Sequence, residues 1–294
     1  MYPTTIGDEN ADQSGYLQEM AELKLTELGG QIRLRGHWEI SIRPGSYEEN
    51  RLEYGDIYPA VVSGYTRHQH WDFPSIADEA DAKLGARWKG EEYESDYAET
   101  WRMYESGQFT CLMGLQDDLN EDEVSAHQGV RLSVEDLFSL NQAVTWVTGV
   151  FEVDANLFNA YPNWPSSVVE TRAVNIFGRS LANRRGLLSG SSRTESDQWG
   201  DTLYPSRDAL TSDPHNEAAQ FLDELFNDLV GATLGAFGKS KNIFWRDWLA
   251  HEEAGGAPPA FFSGTTPRMP RNPRFTAPRA LSVRRYPSVS GVFP

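Results

Sequence analysis

Apolar residues recur at helical spacing near the start of the chain. Leu17, Met20, Ala21, Leu25 and Leu28 predict a helix over 16–28, ended by Gly29-Gly30. Alternation then takes over. Ile32, Leu34, Trp38, Ile40 and Ile42 fall on even positions, with Arg33, Arg35, Glu39, Ser41 and Arg43 opposite. This predicts a strand over 32–43, closed by Pro44-Gly45. A second strand is read over 60–66. Residues 97–106 read as a helix stopped at Gly107, and 108–115 as a core strand.

A long helix is expected over 133–159. Ser133 and Asp136 make a start resembling a capping box. Val134, Leu137, Phe138, Val144, Val147 and Phe151 share one side, and Gly149 is its weak point. A strand over 168–180 follows, then a polar loop insertion over 184–212. A helix begins at Pro214, with Ala218, Phe221, Leu222, Leu225, Phe226 and Leu229 as its apolar stripe. A shorter helix over 243–253 carries Trp245 and Trp248. Strands followed by long helices favour an α+β domain, a mainly antiparallel sheet packed with helices, over 16–254. Residues 1–15 read as a flexible N-terminus.

The last forty residues differ in kind. From Gly255 onward there is no Asp or Glu, half of the chain's 16 prolines lie here, and six arginines appear. These are Arg268, Arg271, Arg274, Arg279, Arg284 and Arg285. The 255–294 segment reads as a flexible basic tail. The tail is a candidate partner-binding element, for an acidic protein or for nucleic acid.

Charge sharpens this division. The net charge is −17, so the tail's +6 sits against −23 on the rest. Such an acidic body argues against broad duplex nucleic-acid binding. The single cysteine, Cys111, permits no internal disulfide and lies in the apolar run 109–113, where a buried structural thiol is expected. With no secretion signal and no apolar segment of membrane-spanning length, the expectation is a cytoplasmic protein.

Two aromatic motifs stand out: Trp71-Asp72-Phe73-Pro74, and Trp101-Arg102-Met103-Tyr104-Glu105-Ser106-Gly107-Gln108-Phe109. With the segment from Leu34 to Gly45 they resemble an uncharacterised bacterial domain. That domain is found alone or next to Schlafen-type DNA-binding or ATP-binding domains. The resemblance covers about residues 30–182 and implies a fold and a bacterial, defence-related context. It implies no reaction. Members carry Arg-Gly-Trp-Asp-Phe-Pro, whereas here His68-Gln69-His70 separates Arg67 from Trp71.

The sharpest chemical signal is His68-x-His70-x-Asp72. Along one extended segment, alternate residues point the same way, so two imidazoles and a carboxylate would converge on a metal ion. Further ligands would come from Glu91, Glu92, Asp96 or His127. The competing reading is a loop with hydrogen-bonded histidines. Trp71, Phe73, Trp88, Trp101, Tyr104 and Phe109 admit a base-stacking platform or core packing, and core packing is expected. No phosphate-binding glycine loop is present, so no cofactor is implied. Taken together, the sequence points to a non-catalytic interaction or regulatory protein, with a metal-dependent hydrolase as the alternative.

Overall fold

The computed structural model describes residues 13–68, 71–77, 79–94, 97–115, 124–125, 131–132, 137–164, 166–183, 186–187, 194 and 197–222. Helix α1 (Ser14–Lys24) and helix α2 (Glu27–Ile32) precede strand β1 (His37–Pro44). Helix α3 (Ile57–Gly64) leads into a hairpin of β2 (Thr66–His68) and β3 (Trp71–Phe73). Next come β4 (Lys83–Leu84), β5 (Trp88–Glu94), β6 (Ala98–Tyr104) and β7 (Phe109–Gly114). Two short strands, β8 (Val124–Ser125) and β9 (Arg131–Leu132), pair with each other. Strand β10 (Leu137–Ser139) runs into helix α4 (Leu140–Ala160). Strands β11 (Ser167–Val174), β12 (Ser180–Asn183), β13 (Gly186–Leu187) and β14 (Gln198–Leu203) follow, then helix α5 (Arg207–Ser212). A last helical run, α6, occupies 214–222.

Seven strands form one antiparallel sheet in the order β14-β11-β1-β7-β6-β5-β4. Its ends differ from its middle. Strand β4 has two residues, both exposed, and β14 carries Gly200 and Asp201 in exposed positions. Helices cover both faces. Leu23, Leu28 and Ile32 of α1 and α2 pack with Ala98 and Leu112 on one face. Trp38 on the other face meets Trp146 of α4, with ring centroids 6.0 Å apart. Every residue of β7 is therefore buried. The α+β class with a mainly antiparallel sheet is what the sequence predicts.

Several elements differ from the sequence expectation. Residues 98–104 form strand β6, where a helix is predicted. A strand buried on both faces loses the alternation that would reveal it. Gly107 has φ +84°, a conformation that both a helix stop and a hairpin turn require, so its signal was shared by the two readings. Here it closes the β6–β7 turn, with Tyr104 N–H donating to Gln108 O at 2.9 Å.

Conversely, the predicted strand at 60–66 is mostly helix α3. Ile57, Tyr58, Ala60, Val61 and Gly64 are its buried positions, at helical spacing, and the β-branched pair Val61-Val62 obscured that period. Gly29 and Gly30 lie inside α2, which Thr26 starts by accepting from Gly29 N–H at 3.0 Å. Helix α4 begins at Leu140 with Ser139 as its cap, later than the Ser133 start expected. The predicted 168–180 strand is two strands, β11 and β12, joined by a turn. The expected polar loop at 184–212 contains β13, β14 and α5. The 243–253 helix and the 255–294 tail lie outside the described residues.

Candidate functional site

The Tyr104–Phe109 motif closes around a carboxylate from the far end of the chain. Glu19 of α1 is 6 % exposed. Its Oε2 accepts from Ser106 Oγ at 2.7 Å, and its backbone oxygen accepts from the Tyr104 hydroxyl at 2.7 Å. In the amide orientation that satisfies both ends, Gln108 donates to Glu19 Oε2 (2.8 Å) and Tyr16 O (3.1 Å). Its oxygen then accepts from Ser41 Oγ (2.8 Å). Burial raises the Glu19 carboxyl to about 7, against the opposing pull of Ser106, Arg87 and Tyr47. Tyr104, Ser106, Gly107 and Gln108 thus fasten α1 to the β6–β7 turn and to β1.

The other face holds a second set of carboxylates. Phe73, preceding a cis peptide bond to Pro74, is fully buried and meets Phe109 edge-on at 6.1 Å. The chain then crosses the sheet face. Ser75 N–H donates to Glu99 Oε1 at 3.1 Å, and Ala77 N–H donates to Glu91 Oε2 at 2.8 Å. Ser75 O accepts from Trp101 Nε1 at 2.7 Å. The Tyr58 hydroxyl donates to Glu91 Oε1 at 2.9 Å.

Glu99 is fully buried, and that burial raises its carboxyl to about 8 despite the Ser75 N–H, the Tyr97 hydroxyl and Cys111. Among the described residues, no group stands at hydrogen-bond distance from its Oε2. Glu91 is also raised, first by burial. Cys111 lies against Glu99, with Sγ 3.8 Å from Oε1. Burial and the adjacent carboxyl push its thiol up, which keeps it an inert core residue. Asp154 of α4 completes the buried acids. It accepts from Ser167 Oγ at 2.6 Å, and burial raises it to about 7.

The metal-ligand candidates fall on the β2–β3 hairpin. Its register pairs His68 with Trp71 and Arg67 with Asp72, so the chain reverses between His68 and Asp72. The single extended segment on which the alternation argument rested is therefore a hairpin. Asp72 is engaged: its Oδ1 accepts from the Tyr65 hydroxyl at 2.6 Å and lies 3.4 Å from Arg67 Nε. His70, Asp96 and His127 lie outside the described residues. Glu91 holds the 75–77 segment, and Glu92 pairs with Lys83. Among the described residues, no three His, Cys, Asp or Glu side chains gather to hold a metal ion.

One acid–base pair was missed by the sequence reading. His215, at the start of α6, has Nε2 2.5 Å from Glu152 Oε1 of α4. The Thr66 hydroxyl donates to the other Glu152 oxygen. About a third of the His215 side chain is accessible. The pair spans 63 residues, a separation that no spacing rule would connect.

The proposed aromatic platform is largely interior. Phe73, Trp101, Tyr104 and Phe109 are each at most 2 % exposed. Trp88 is half-buried beneath the Arg102 guanidinium, 3.7 Å from its ring centroid. The six tail arginines named as partner-binding candidates lie outside the described residues. No helix among the described residues is long and apolar enough to cross a membrane. No family model matches the chain, and no curated protein or solved structure matches it either.

Proposed function

We propose that this chain is a non-catalytic interaction or regulatory protein of the bacterial cytoplasm, an accessory in a defence or mobile-element locus. One observation carries the reading: the ionisable groups that burial has perturbed are used to hold the chain to itself. Glu99 and Glu91 grip the backbone N–H groups of Ser75 and Ala77, Glu19 grips Ser106, and Asp154 grips Ser167. Perturbed acids in enzymes typically face a cleft, whereas these four are at most 9 % exposed. The resemblance to the Schlafen-associated domain supplies the cellular context. The +6 tail supplies a means of contact with an acidic partner.

Deletion of 256–294 tests this. The expected result is a melting temperature within roughly 2 °C of the full chain, as for loss of a segment that buries little. Capture of the partner co-purifying with the tagged full chain is expected to fall several-fold at low salt, and the difference between the two chains to shrink at raised salt. A large drop in melting temperature, or undiminished capture, would overturn the tail's role.

A second reading, a metal-dependent hydrolase using His68, His70 and Asp72, is favoured by the half-exposed Glu152–His215 pair against the same hairpin. Elemental analysis separates the two. Stoichiometric zinc or manganese in the full chain, lost in His70→Ala, would establish the hydrolase reading in place of the first.

A further inference from the structure

The chain that leaves β3 crosses the sheet above Glu91 and Glu99. The strand register sets Tyr93 opposite Glu99, and Trp101 between Glu91 and Cys111, so these five side chains share one face. Phe73 and Pro74 are buried where the crossing begins. Ser75 and Ile76 are half-buried and Ala77 is exposed, so water reaches the outer side of this stretch.

Side chains hold it down. Ser75 N–H donates to Glu99, Ala77 N–H donates to Glu91, and Ser75 O accepts from Trp101 Nε1. Among the described residues, 75–77 make no backbone-to-backbone hydrogen bond. A surface stretch without ladder bonds opens at a fraction of the free energy of global unfolding. The two acids beneath it are not equivalent. Glu91 has further support from the Tyr58 hydroxyl at 2.9 Å. Glu99 is 0 % exposed, and its Oε2 meets no hydrogen-bond partner among the described residues.

A neutral Glu99 fits this site and an ionised one does not. The groups set against it are the Ser75 N–H, the Tyr97 hydroxyl, the Cys111 thiol and, at longer range, the Glu91 carboxyl, and none of these is a cation. Tyr93 adds a phenol from β5, and Asp81 adds a further negative charge near Glu91. Lys89 lies on the same face of β5, but Glu79 holds its ammonium at 2.9 Å. A buried charge without a counter-ion is relieved by admitting water. Burial raises the carboxyl to about 8. The closed form therefore keeps a proton that a form with Glu99 in water releases.

We infer that residues 74–77 form a strap, latched to the sheet while Glu99 is protonated and lifted from it when that proton leaves. Phe73, buried against Phe109, anchors the end at which the strap turns. Lifting parts Ser75 from both Glu99 and the Trp101 indole, and bares this face of β5 and β6 without opening the whole sheet. The inference depends on neither functional reading.

Amide hydrogen exchange of the full chain, resolved by residue, tests it. Protection factors of Ser75 and Ala77, corrected for the intrinsic rate at each pH, are expected to fall by roughly tenfold or more between about pH 6 and pH 8. At every pH they should lie roughly tenfold or more below those of the β7 amides, and they should hold steady in urea below the unfolding transition. Glu99→Gln should flatten the strap's pH profile to within about twofold, because no proton is left to lose. The wild-type data stand alone should that variant fail to fold. Strap protection that is level across the pH range would overturn the proposal. So would strap and β7 amides sharing one protection factor and one urea dependence, which would mean global unfolding. A folded Gln variant that keeps the wild-type profile would assign the proton elsewhere and overturn it too.

Discussion

Replacing Glu99 by Gln is expected to stabilise the protein at pH 8.5 by a few kcal/mol, raising its melting temperature by roughly 5–10 °C. The reason is the proton held at this site. Burial lifts the folded-state carboxyl from 4.5 to about 8. Between those values the folded chain keeps a proton that the unfolded chain has released, so each rise in pH favours unfolding across that window. Below about pH 4 both states are protonated and the contribution is flat; above about 8 both have released it and the loss is complete.

Glu19 and Asp154, each raised to about 7 by burial, act in the same direction over a shorter window. The wild-type melting temperature should therefore fall steadily from pH 5 to pH 8.5. Glu39 opposes this trend only in acid. Burial disfavours its charge, but His37 and Lys24, the latter 2.7 Å away, outweigh that and hold it near 2. Its stabilisation is present above about 4.5 and lost as pH falls toward 2. Glutamine keeps the oxygen that accepts from Ser75 N–H and removes the titration. Scanning calorimetry of both proteins at four pH values checks this. A wild-type curve that is flat or rises through the window would refute it, as would a Gln variant weakened equally at every pH.

Replacing Trp101 by Ala is expected to cost about 4 kcal/mol, measured by urea unfolding. Trp101 is 1 % exposed, stacks on Phe109 at 6.1 Å, lies 6.5 Å from the Tyr58 ring and donates to Ser75 O. Its removal leaves a cavity and an unpaired carbonyl beneath the crossing segment. Trp101→Phe keeps most of the ring and should cost less than half as much. A loss below about 1 kcal/mol for Trp101→Ala would mean that the ring fills no core, and the internal reading of the aromatic motif would fail with it.

These two residues also mark how far the sequence could be read. The density of large rings between 71 and 109 signalled a core, and Phe73, Trp101, Tyr104 and Phe109 are in it. The alternation in β1 was legible in residue type, with Glu39, Ser41 and Arg43 set against Trp38, Ile40 and Ile42, even though Glu39 alone of its eight residues is not fully buried. Strand β6 was not, since helices on both sides of the sheet erase the polar–apolar rhythm. The motif Tyr104-x-Ser106-Gly107-Gln108 was conspicuous, but its partner Glu19 lies 87 residues before Ser106. Glu99 reads in sequence as an ordinary solvated acid within a charged run. The return of the chain after Phe73 sets the Ser75 N–H against it.

The short two-residue border of the sheet has a bearing on behaviour at high concentration. Edge strands are the usual templates on which copies of a protein zip together into aggregates. At one margin few backbone groups are offered before the strand ends, and Lys83 stands there. At the other, Gly200 and the charge of Asp201 interrupt what would be a flat ribbon. Crowded copies of the protein are accordingly poor seeds for one another through the two margins of this sheet.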